Sequence, residues 1–103
     1  MERMPRLKSS QRKWLRGQAH ALKPVVQIGK MGLSEGALRQ IDEALADHEL
    51  IKVQAAAPKE EKQEIGRQIE EATGAEVVGI IGHILILFRQ NDDPEEQRFE
   101  LPE

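Results

Sequence analysis

The apolar positions of this chain change period along its length. Residues 11–22 repeat them at helical spacing, with Trp14 or Leu15, then Ala19 and Leu22, along one side. Ser9 and Ser10 stand just before and are N-cap candidates. Pro24 ends this helix, because the residue before a proline avoids the α region. Residues 25–28, Val-Val-Gln-Ile, then read as a short strand. Leu38, Ile41 and Leu45 mark a helix over 35–48, with Ser34 as its N-cap. Over 50–56, Ile51, Val53 and Ala55 alternate with Lys52 and Gln54, the pattern of a half-buried strand. Pro58 opens a helix over 59–73 with Ile65, Ile69 and Ala72 inward. Its outward face carries Glu60, Glu61, Glu64, Glu70 and Glu71, and Gly74 suits the position that stops it.

Two apolar runs, 76–81 and 84–88, flank Gly82-His83, a tight hairpin turn. The second run does not alternate, so both faces of that strand are expected to be covered. Strands joined through a helix tend to be parallel, whereas a hairpin is antiparallel. The expectation is an α/β domain: a small four-stranded mixed sheet with three helices, in the order α-β-α-β-α-β-β. It spans residues 1–90. Residues 91–103 are acidic, contain two prolines and read as a disordered tail.

Charge sharpens this picture. The net charge of −3 is the sum of two unlike parts. Residues 1–30 hold eight Lys/Arg against Glu2 alone, a net +7, and the remainder holds 7 Lys/Arg against 17 acids, a net −10. Arg12, Arg16, His20 and Lys23 share one stripe of the first helix and its end, with Lys13 beside it. Like charges at that spacing repel by a few tenths of a kcal/mol per pair. A solvated face is the ordinary explanation of such a row. The near absence of acids around it favours a polyanion partner instead.

The chemistry-bearing stretch is the turn of Gly29, Lys30, Met31 and Gly32 between the first strand and the second helix. It sets a lysine between glycines just before a helix start, where backbone N–H groups attract phosphate. An ordinary strand-to-helix turn is the plain alternative. Lys30 is not followed by Ser or Thr, so the turn is no nucleotide-binding phosphate loop. It has the G-x-x-G form of the RNA-clamping loop of KH domains, although that loop joins two helices. His20, His48 and His83 are the only histidines, none paired at ligand spacing, and there is no cysteine. No metal site, disulfide, cofactor or small-molecule substrate is therefore expected. No nucleophile–base set stands out, so no catalytic residue is assigned. No apolar run is long enough to span a bilayer and residues 1–20 lack a signal peptide's apolar segment, so a cytoplasmic location without a membrane partner is expected.

Several strings together resemble a known family. Gln11-Arg12-Lys13-Trp14-Leu15-Arg16, and Leu22-Lys23-Pro24-Val25-Val26-Gln27-Ile28 leading into Gly29-Lys30-Met31-Gly32-Leu33-Ser34, look like the opening of a CRM domain (chloroplast RNA splicing and ribosome maturation). His48-Glu49-Leu50-Ile51-Lys52-Val53, Thr73-Gly74-Ala75-Glu76-Val77-Val78 and Gly82-His83-Ile84-Leu85-Ile86-Leu87-Phe88-Arg89 resemble its later motifs. The match covers about residues 7–90 and is similar to the stand-alone bacterial YhbY group. The resemblance implies a non-catalytic RNA-binding protein acting on ribosomal RNA precursors in large-subunit (pre-50S) assembly, that is, in ribosome biogenesis. It implies RNA contacts at Gly29, Lys30, Met31 and Gly32. Arg12, Lys13, Arg16 and Lys23 would flank them, with His20 and Lys52 as outlying candidates. The alternatives are a protein-interaction adaptor docking on ribosomal proteins through the acidic helix and tail, and a phosphotransfer enzyme built on the glycine turn.

Overall fold

A computed structural model describes residues 7–103; Arg3 and Arg6 of the basic segment lie outside the described residues. Three helices, α1 (Ser9–Ala19), α2 (Glu35–His48) and α3 (Lys59–Thr73), combine with strands β1 (Pro24–Ile28), β2 (Leu50–Ala55), β3 (Glu76–Ile81) and β4 (Ile84–Phe88). The sheet order is β1-β2-β4-β3. β1 and β2 are parallel, and β4 runs antiparallel to both its neighbours. The mixed sheet and its α-β-α-β-α-β-β order are as the sequence predicts.

One sheet face is covered by α2 and α3, with Ile41, Leu45, Ile65 and Ile69 on Ile51, Val53, Leu85 and Leu87. The other is partly covered by α1, whose Leu15 and Ala19 pack with Leu50, Val78, Ile86 and Phe88. β4 therefore has buried side chains on both faces, which explains its unbroken apolar run.

Helix α1 starts and stops earlier than the sequence pattern suggests. Its N-cap is Lys8 rather than Ser9 or Ser10, and the Gln11 side chain reaches back to accept from the Lys8 N–H at 2.9 Å. Leu22, expected on the apolar stripe, lies beyond the helix and is exposed. The inward row of α3 also differs. Ala72 is exposed, while Lys62, Ile65, Gly66 and Ile69 face the sheet. A Cβ at Gly66 would stand 3.1 Å from Val77, so the missing side chain lets the helix approach closely. Lys62 lays its stem inward and its ammonium donates to the Gly82 carbonyl of the hairpin. Glu70 belongs to the fold rather than to the outer acidic face, for it accepts from the Val77 N–H at 2.8 Å. On that outer face the Glu64 carboxyl is held below the usual carboxylate range by the Arg67 hydrogen bond and then by its charge.

Residues 91–103, expected to be disordered, fold back on the domain through one buried carboxylate. Glu49 ends α2 with φ 65° and is 1% exposed. Its side chain accepts from the backbone N–H groups of Asn91 at 2.5 Å, Arg98 at 2.7 Å and Phe99 at 3.2 Å. Phe99 then packs edge-on against Trp14 and Phe88, with Leu101 beside the same cluster. Acidic composition hid this docking, because what is bound is mostly the segment's backbone and two apolar side chains.

Candidate nucleic-acid interface

The glycine turn forms as its residues require. Val26 and Ile28 tie β1 to the core, and Ser34 caps α2 by accepting from the Ala37 N–H at 3.1 Å. Between them the Gly32 N–H closes a tight turn on the Gly29 carbonyl at 3.0 Å. Gly32 has φ 85°, a conformation that disfavours any side chain. Gly29 has ordinary φ, and a Cβ there would meet nothing within 4 Å. Lys30 is exposed and Met31 is 99% exposed, so neither serves the core.

β1 is an edge strand whose outward residues are Val25 and Gln27, both exposed. Beside it on β2 lie Lys52 and Gln54, and the Gln27 and Gln54 side chains are bonded at 3.3 Å. This part of the face is left uncovered, because α1 packs on the β4–β3 side and on Leu50. Lys23 and Lys30 bracket β1, on the order of 20 Å apart by strand rise. Val25, Gln27 and Gln54 were not singled out by sequence reasoning, although the period-2 alternation of an edge strand carries the signal.

The remaining sequence candidates separate into two groups. Lys13 and His20 are exposed at α1 and its end. Lys52 donates to the carbonyls of His20 at 3.4 Å and Leu22 at 3.0 Å, so it pins the connection between α1 and β1. Arg12 and Arg16 are turned onto β3. Arg12 pairs with Glu76 at 3.0 Å and also donates to the Leu7 carbonyl at 3.0 Å. Arg16 donates at 2.7 Å to the carbonyl of Val78, where the β3–β4 register shifts by one residue. The structure thus brings Lys23 and Lys30 to the uncovered region, engages Lys52 there with the α1–β1 connection, and gives Arg12 and Arg16 partners on β3.

Among the described residues no group of three acidic, histidine or cysteine side chains could hold a metal ion. No helix among them is long and apolar enough to cross a membrane. What remains is a polar, cationic strip with an open glycine turn at one end, chemistry suited to a phosphate backbone.

Comparison with known proteins agrees with this architecture. A Haemophilus influenzae protein named as an RNA-binding protein is 47% identical over 100 residues, covering 96% of this chain and 98% of its own length. Bacillus subtilis YqeI, named as a candidate RNA-binding protein, is 33% identical, with 93% and 99% of the two chains covered. The solution structure of a hypothetical Staphylococcus aureus protein, described as a candidate RNA-binding protein, superposes with a TM-score of 0.81 at 37% identity. That match covers 94% of this chain and 100% of the other. Residues 7–89 match the CRS1/YhbY (CRM) domain, and with these full-length relatives the match establishes that the chain belongs to that family.

Proposed function

We propose that this protein is a non-catalytic RNA-binding domain of the cytoplasm. The observation that carries the reading is the turn of residues 29–32. It holds Lys30 and Met31 out in solvent before the start of α2, and neither side chain has a task in the core. Gly29 leaves room for a phosphate to reach the backbone, and Lys23 extends the cationic strip along β1. Relatives named as RNA-binding proteins support the same partner. The finer reading is that the RNA is a ribosomal RNA precursor in large-subunit assembly, as the sequence resemblance to the stand-alone bacterial group suggests.

Crosslinking the protein to RNA in cells and sequencing the fragments tests both levels. Enrichment of large-subunit precursor RNA, lost with Lys30→Glu, is the expected result. Enrichment of other RNAs would retain binding and refute the assembly role. Recovery of ribosomal proteins that survives nuclease treatment, with no crosslinked RNA, would favour the adaptor reading.

A further inference from the structure

We propose that a cleft at the Pro24 end of β1 receives an unstacked nucleobase of the bound strand, with the adjoining phosphate on Lys23 and Arg98. This rests on the RNA-binding reading above and adds a base-binding subsite to it. The cleft holds about 370 Å³. Its walls include Leu22, Val25 and Phe99, and its basic side chains are Lys23, His48 and Arg98. No carboxylate lines it; Glu100, next to Phe99, is exposed and lies outside the lining. Apolar walls with an aromatic ring and a cationic margin match a base joined to its phosphate. They fit a basic or purely apolar ligand less well.

Three features make this a formed site. Phe99 lines the cleft and meets Trp14 and Phe88 at 85° with ring centroids 6.3 and 6.1 Å away, so its ring is held in position by two aromatic neighbours. The two margin-forming segments are anchored. Arg98 donates from Nε to the Asp47 carbonyl at 2.6 Å, and the Phe99 N–H is held by Glu49. Across the cleft, Lys52 fixes the Leu22 carbonyl at 3.0 Å. The position is also continuous with the proposed backbone path. Val25 stands on the outward row of β1 with Gln27, and that row leads to Lys30. Arg98 and Phe99 lie beyond residues 7–89, so the cleft is completed by chain outside the family match.

The test compares a short single-stranded oligouridylate with a strand of the same length made abasic. Phe99→Leu keeps an apolar side chain in the cluster but removes the aromatic face. Val25→Ser changes an exposed wall residue with little demand on the core. Phe99→Leu is expected to weaken oligouridylate binding by about tenfold, within the range for one base on one aromatic ring. Val25→Ser is expected to weaken it by a smaller factor, and both variants should bind the abasic strand as wild type does. Equal weakening of both strands would overturn the proposal, because the cleft would then serve the fold or the phosphates. Unchanged binding by both variants, with binding lost in Lys30→Glu, would overturn it while leaving RNA binding in place. Failure of the wild type to bind either strand at low salt would remove both readings.

Discussion

Arg16 lies directly over Gly79. A Cβ at position 79 would stand 2.6 Å from Arg16 Cδ and 3.2 Å from its Cγ. The guanidinium beyond donates to the Val78 carbonyl at 2.7 Å. The glycine makes room for the stem, and the irregular register of β3 supplies the carbonyl. A side chain that reads as part of a phosphate-binding row therefore also joins α1 to the sheet.

The first prediction concerns this pair. Arg16→Ala should cost about 1–2 kcal/mol through the lost hydrogen bond and stem packing. Gly79→Ala should cost about 1 kcal/mol in the wild type by displacing the arginine. In the Arg16→Ala background the same change should be neutral or stabilising. With the arginine stem gone, the next neighbour of the new Cβ is Ile86 Cδ1 at 3.8 Å, an ordinary contact. Denaturant unfolding of the four proteins in this cycle measures the coupling. Strict additivity would show that the two residues do not constrain each other.

The two glycines of the turn should respond differently to alanine. Gly32→Ala should destabilise by about 1 kcal/mol, since φ 85° burdens any side chain. Gly29→Ala should leave the thermal midpoint unchanged, because its Cβ would project into open space. If RNA phosphate approaches the backbone here, Gly29→Ala should still weaken binding several-fold. A Gly29→Ala protein that binds like wild type would remove position 29 from the contact surface.

Legibility in the sequence followed the kind of signal each element carried. The bounds of helix α2 are legible because the Ser34 cap and the apolar row agree. An apolar pattern extends the inward row of α3 to Ala72 and passes over Lys62 and Gly66, although one buries its stem and the other admits close packing. Helical spacing places Arg12 and Arg16 on one stripe, but their partners on β3 are 64 and 62 residues away. Helical spacing cannot report such distant contacts. The docking of residues 91–103 was illegible for a related reason. It depends on Glu49 at φ 65°, a local conformation that no periodicity encodes.

Glu49→Ala should therefore be among the more damaging single changes. It strips the acceptor from three backbone N–H groups and leaves a buried space, at about 2–3 kcal/mol. The thermal midpoint should fall on the order of 10 °C for a domain of this size. Amide exchange should accelerate at Arg98 and Phe99 well beyond the change in α3. Exchange that rises uniformly instead would mean that the C-terminal segment is not held independently by this carboxylate.

The last prediction separates cations available to RNA from those occupied by the fold. Lys13, Lys23 and Lys30 are exposed, whereas Arg12 and Arg16 are engaged with β3. If the three lysines each neutralise a phosphate, the slope of log affinity against log salt should be about −2 for a single strand. Lys23→Gln and Lys30→Gln should each make it shallower by about 0.7, with little effect on stability. Arg16→Ala should lower stability while leaving the slope nearly unchanged, a contrast that a simple count of basic residues would not produce. Glu61→Gln, on the exposed side of α3, serves as the control and should alter neither quantity. A slope shallower by about 0.7 in Arg16→Ala, with Lys23→Gln silent, would move the phosphate path away from β1 and onto α1.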